Sequence, residues 1–167
     1  MSIFENTVLV NRKTSIGNKI GGWLCIVLIA LSAIGAFLVF SFVLLLLAIL
    51  FGAIWYMLYL NSQIEYEYTY IEGRLSIARI KAKRKRKELA RIEMEEVLMI
   101  APTDSHELDS YFSNNQVKRK VCTSGLPDIH SYQVVYKTSN DINMIEFEPD
   151  RNMLEMIQAR NPRKVLI

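Results

Sequence analysis

The residues that could do chemistry are few. The chain has two histidines, His106 and His130, and two cysteines, Cys25 and Cys122. Asp104-Ser105-His106 contains the residue types of a hydrolytic triad, but three consecutive residues do not converge on one reacting atom, and a helix cap accounts for Asp104 and Ser105. Glu93, Glu95 and Glu96 offer the oxygen ligands a divalent cation prefers. In a strand, alternation sends Glu93 and Glu95 outward into water, where the neighbouring basic strand can pair with them. There is no C-x-x-C pair, glycine-rich phosphate loop, zincin helix or nucleophile elbow. The expectation is a protein that is not an enzyme and uses neither cofactor nor metal. Two thiols without a plausible mutual pairing suit a reducing cytoplasm.

The basic run is the strongest local signal. Lys81, Lys83, Arg84, Lys85, Arg86 and Lys87 place six cations within seven residues. Such a run can be a solvated loop that orients a membrane protein and guards a strand edge, a contact for anionic lipid, or a nucleic-acid patch. No aromatic residue interleaves with the cations, which argues against nucleic acid. These six residues are the expected lipid- or partner-binding set.

What positions that run is a membrane segment. The composition is 51% apolar and 22% charged, with mean hydropathy +0.15 and net charge +3. This excludes a disordered chain, a collagen-like or disulfide-rich scaffold, and a wholly soluble domain. Residues 20–64 form an uncharged run of 45. As one helix it would extend roughly 68 Å, about twice the hydrocarbon thickness of a bilayer. Two helices are therefore expected, at residues 20–38 and 42–60, with the turn at 39–41. Trp23 lies near one end of the run and Trp55, Tyr56 and Tyr59 near the other, so both ends belong at one interface. Arg12, Lys13 and Lys19 precede the spans, and Arg74, Arg79 and the basic run follow them. Cationic flanks stay inside, which predicts two spans of the cell (plasma) membrane with both termini cytoplasmic. A cleaved signal peptide is set aside, because its apolar core is shorter and no small-residue cleavage site stands here.

Ser32 and Ala36 in the first span, and Ala48 and Gly52 in the second, recur four apart and could let two backbones approach. No ionisable side chain lies inside either helix, so the pair reads as an anchor rather than a transport path.

The remainder, residues 61–167, is large enough for one domain. Ile64, Tyr66, Tyr68 and Tyr70 fall on one face of a strand, with Glu65, Glu67 and Thr69 on the other. Glu72-Gly73 makes a turn into a second strand at 75–81. Residues 84–100 are ambiguous, since their composition favours helix while alternation permits two strands. A short helix capped by Asp104 or Ser105 comes next, then strands at 117–123, 131–137 and 143–148, with the loop 124–128 between the first two. A final helix capped by Asp150 carries Met153, Leu154, Met156 and Ile157 and stops before Pro162.

Seven strands followed by one amphipathic helix resemble the pleckstrin-homology-like fold, an antiparallel barrel or sandwich plugged by its last helix. The segments Glu65-Tyr66-Glu67-Tyr68-Thr69-Tyr70, Lys85-Arg86-Lys87, Ile100-Ala101-Pro102, Phe147-Glu148-Pro149 and Pro162-Arg163-Lys164-Val165 look more specifically like an uncharacterised family. Its members are small integral-membrane proteins of Gram-positive anaerobes with a paired-helix anchor and a cytoplasmic tail domain. The resemblance implies strands, not helix, at 86–100, and it implies no reaction. The expected α+β architecture is a tail at 1–19, two transmembrane helices at 20–60, and a cytoplasmic PH-like domain at 61–167. The expected role is a membrane-anchored interaction module at the inner face, binding a protein partner or anionic headgroups. The alternative is an accessory subunit packed through its helices into a larger membrane complex, or self-associated through them.

Overall fold

The computed structural model describes residues 5–127, 129–139 and 141–166. They form two compact units: one holds Lys13–Ile64 and Lys81–Arg84, and the other holds the chain up to Arg12, Glu65–Ile80 and the chain from Lys85 onward.

In the sheet unit, Glu5–Asn11 (β1) pairs antiparallel with Ile64–Ile71 (β2), in register from Glu5 opposite Ile71 to Asn11 opposite Glu65. The sheet therefore begins ahead of the apolar run, in residues that the sequence presents as part of a tail at 1–19, of which 1–4 lie outside the described residues. Val8 and Val10 alternate with Thr7 and Leu9, but one half-polar strand carries little signal until its partner is known. The expected domain of 61–167 thus gains a strand from across the helices, because β2 has an edge that β1 satisfies.

Arg74–Lys81 (β3) and Lys85–Glu93 (β4) complete this sheet in the order β1-β2-β3-β4. The ambiguity at 84–100 resolves to strands, since Val97–Pro102 (β5) follows directly. A one-turn 3-10 segment (His106–Leu108) and a short helix, Asp109–Ser113 (α3 of the chain, after the two long helices described below), lead into Lys118–Val121 (β6). Tyr132–Thr138 (β7) and Asp141–Phe147 (β8) finish the second sheet, whose order is β5-β7-β8-β6. Residues Arg151–Arg160 form the last helix, α4. Asp150 of the expected cap accepts from Met153 N at 2.8 Å and from Asn6 Nδ2 at 3.0 Å, so the cap also anchors β1.

Two points sharpen the sequence reading. The described residues hold eight strands rather than about seven, in two four-stranded sheets with no closed barrel among them. The pair β6 and β8 is parallel, because the chain must leave β6 at the sheet edge and cross to β7 before β8 returns between them. Asp128 of the connecting loop lies outside the described residues.

The core explains the patterning. Tyr66, Tyr68 and Tyr70 are buried, and Tyr68 meets Phe147 edge-on with centroids 5.7 Å apart. From α4, Met153, Leu154 and Ile157 are buried, each contributing roughly 1.5 to 3 kcal/mol by removal of apolar surface from water. In β7 four consecutive residues, Gln133 to Tyr136, are buried, which reflects cover on both faces. The second face is covered by a smaller cluster in which Leu108, Val117, Val135 and Met144 are buried under Tyr111 and Phe112.

In the helical unit, Ile16–Val39 (α1) and Phe42–Ser62 (α2) are both long and apolar enough to cross a membrane. They turn at Phe40, in the left-handed region with φ 48°, and Ser41, within the expected 39–41. They pack antiparallel. A Cβ at Gly35 would lie 3.1 Å from Leu44 Cδ1, and one at Gly21 would lie 3.5 Å from Leu58 Cδ1. Most large apolar side chains on both helices are exposed, and Cys25 alone among their described residues is buried.

Candidate functional site

The basic run occupies the hairpin between β3 and β4. Arg84 N–H donates to Lys81 O at 3.1 Å, and the two residues inside this turn, Ala82 and Lys83, have φ of 52° and 54°. Two left-handed positions match the twist of a tight hairpin, but they usually carry Asn and Gly. The left-handed state costs an L-residue roughly 1 to 2 kcal/mol. By contrast the β2–β3 turn places Gly73 at φ 90°, where no side chain opposes it.

Ala82 N–H donates to Gln63 O at 2.8 Å, so the strained turn is tied to the residue that follows α2. Both residues belong to the helical unit. That unit carries Lys13, Lys19, Lys81, Lys83 and Arg84 and not one acidic residue. Farther along, Arg86 Nε and Nη2 donate to Glu67 at 3.0 and 2.9 Å. These hydrogen bonds from the Arg86 guanidinium, together with its charge, hold the Glu67 carboxyl below the usual range despite partial burial, and they raise Arg86 in turn. Among the described residues none of Lys81, Lys83, Arg84, Lys85 and Lys87 has an ion-pair partner. Lys83 to Lys87 are exposed and Lys81 is half-buried. Chemically, the turn offers five uncommitted cations.

The small residues of the spans separate. Ser32, Ala36 and Ala48 are half-buried, and Ala36 and Ala48 line a cleft with Phe37 and Leu45 near the helical turn. A Cβ at Gly52 would meet nothing within 4 Å, so Gly52 has no role in the packing of α1 on α2. The glycines that do face the other helix, Gly21, Gly22 and Gly35, follow no four-residue spacing and were not singled out by the sequence pattern.

The triad-like segment resolves into capping. Ser105 Oγ accepts from Glu107 N at 3.4 Å, and the fully exposed His106 lies 3.3 Å from Asp109. Glu93 pairs with Arg74 at 2.5 Å, a strand neighbour as expected. Burial pushes the Cys122 thiol up to about 11, which leaves it protonated and a poor nucleophile at neutral pH.

Sequence reasoning did not reach the buried polar clamp around Glu148. Its Oε1 accepts from Ser124 N at 3.0 Å and Ser124 Oγ at 2.8 Å, and Leu126 N–H donates to Ser124 Oγ. The Tyr68 hydroxyl donates to the Cys122 carbonyl, and burial holds that phenol well above its ordinary range. This clamp fastens the crossing from β6 to β7. Similarly, Lys164 Nζ donates to Met94 O at 2.7 Å while Val165 bridges Ile100, covering the free edge of β5. The segments that carried the family resemblance, at 100–102, 147–149 and 162–165, are thus framework positions.

Two sheets, a capping C-terminal helix and a pair of apolar helices with an acid-free polar end define a PH-like domain protein with candidate membrane spans. Residues 5–167 match the model of a family described as a bacterial PH-like domain (DUF6106), and the chain belongs to that family. The matched region includes β1 and both helices. No curated protein and no solved structure matches the chain. PH-like domains are generally non-catalytic and commonly bind lipids or proteins.

Proposed function

We propose that the chain is a non-enzymatic interaction module anchored in the cell membrane by α1 and α2, with its basic β3–β4 turn binding anionic headgroups of the inner leaflet. The observation that carries this reading is the hydrogen bond from Ala82 N–H to Gln63 O. It joins uncommitted cations to the end of an apolar helix, the depth at which a headgroup lies. Each cation near an anionic leaflet contributes on the order of 1 kcal/mol, so five without an ion-pair partner among the described residues make a substantial attraction.

Two spans with both termini inside agree with the strand register. The chain leaves the sheet at Asn11 and re-enters opposite it at Glu65, which supports an inserted segment that begins and ends on one side of the membrane. An impermeant thiol reagent applied to intact cells tests this on a chain whose native cysteines are replaced. Cysteine at Ser41 becomes labelled and cysteine at Ser113 stays unlabelled until lysis; labelling of both positions on intact cells refutes the topology.

The second reading, an accessory subunit, is favoured by Gly52. Its open Cα surface on α2 is unused within the pair and could take a helix of another chain or a second copy. Gly52→Ile leaves the hairpin intact and abolishes co-purification of such a partner in mild detergent; unchanged assembly removes this reading.

A further inference from the structure

The polar end of the helical unit contains a cleft distinct from the basic turn. It has a volume of about 230 Å³ and lies between α1 and α2. Asn18, Lys19 and Ser62 line its mouth, and Trp23, Ile26 and Trp55 line its apolar part. The sequence creates the opening. At Gly22 the missing side chain leaves the Trp55 indole edge uncovered, since a Cβ there would stand 4.0 Å from both Cδ1 and Nε1. Trp55 is held in place by stacking on Tyr59, with centroids 5.8 Å apart and rings 18° from parallel. Thr14 Oγ1 donates to Ser62 O, closing the polar rim across the two helices.

Three properties identify the occupant. The mouth is cationic and no acidic residue exists anywhere in this unit, so the ligand's polar part is an anion. Among the described residues Lys19 has no ion-pair partner. The walls below the mouth are aromatic and aliphatic and continue onto the exposed Trp23 and Ile26, so the ligand's other part is apolar and long. A free anion uses only the first half of such a site, and a neutral lipid only the second. Basic pockets between spans on the cytoplasmic side are known to take anionic headgroups.

We propose that this cleft holds one anionic phospholipid, its phosphate on Lys19 and Asn18 and an acyl chain along Trp23 and Ile26. The proposal rests on the membrane reading above, but differs from it in kind: the turn attracts an anionic surface, whereas the cleft retains a single molecule. The test is the phospholipid content of the full chain purified from membranes in a mild non-ionic detergent. About one anionic phospholipid per chain is expected with the wild type. Lys19→Gln and Gly22→Leu should each lower retention about tenfold, and Lys19→Arg should restore it. After delipidation, added phosphatidylglycerol should raise the melting temperature of the wild type but not of Lys19→Gln, while phosphatidylcholine and inorganic phosphate leave it unchanged. Equal retention by wild type and Lys19→Gln, or equal stabilisation by phosphatidylcholine, overturns the proposal. Alkaline carbonate extraction separates the two claims: release of the chain into the soluble fraction refutes the anchor itself, whereas a membrane-retained chain without bound lipid refutes only the cleft.

Discussion

Removing the uncommitted cations of the β3–β4 turn should abolish attraction to an anionic bilayer without unfolding the sheets. The strand register makes a clean experiment available. Asn11 and Glu65 are direct partners, so residues 12–64 can be replaced by an Asn-Gly loop of the type that closes tight hairpins. In this soluble form Lys83, Arg84, Lys85 and Lys87 are changed to Gln. Arg86 is kept because it neutralises Glu67, and Lys81 because it is half-buried. At on the order of 1 kcal/mol per cation, four substitutions remove about 4 kcal/mol, or close to three decades in partition coefficient. The assay is flotation with vesicles of phosphatidylglycerol against vesicles of phosphatidylcholine. Binding of the parent should also collapse between 0.1 and 1 M salt, as the screening length contracts from roughly 10 to 3 Å. A variant that floats as well as its parent, or a parent indifferent to salt, would refute the reasoning.

Four further outcomes follow from the geometry. Ala82→Gly relieves a left-handed alanine at some cost in unfolded-state entropy, and should stabilise the chain by about 0.5 to 1 kcal/mol in thermal melts while keeping every charge. Glu148→Ala leaves Ser124 N–H and its hydroxyl without their buried acceptor, and should cost about 2 to 3 kcal/mol by denaturant titration. Because the folded Glu67 carboxyl is depressed, the stability from its pair with Arg86 is present above the ordinary value of 4.5 and disappears as pH falls through the lower folded value. Arg86→Gln should flatten that acid limb and move the Glu67 carboxyl upward in an NMR titration. The Cys122 thiol should resist iodoacetamide at pH 8 in the folded chain and react on unfolding; fast modification of native protein contradicts its burial.

By itself the sequence determined what depends on local composition and spacing. An uncharged run too long for one helix dictates two, because a bilayer has a set thickness, and the turn falls at Phe40 and Ser41 as that length requires. Alternating tyrosines dictate a half-buried β2, Asp150 before an apolar stripe dictates the start of α4, and six clustered cations dictate a solvent-facing turn. The ambiguity at 84–100 was real, since Lys, Arg, Glu and Leu favour helix in isolation. Strand pairing in the sheet overrode that preference in β4.

Only the tertiary structure decided what depends on partners distant in the chain. β1 is a strand because β2, more than fifty residues later, supplies its hydrogen bonds. The parallel pairing of β6 with β8 and the clamp from Glu148 to Ser124 join segments whose meeting no periodicity announces. The same reason separates the glycines: all lie in apolar sequence, but Gly21, Gly22 and Gly35 face the opposite helix and Gly52 faces open space. The tertiary structure also set the chemistry of the basic turn, where Glu67 takes Arg86 and leaves Lys83, Arg84, Lys85 and Lys87 exposed and without an ion-pair partner among the described residues.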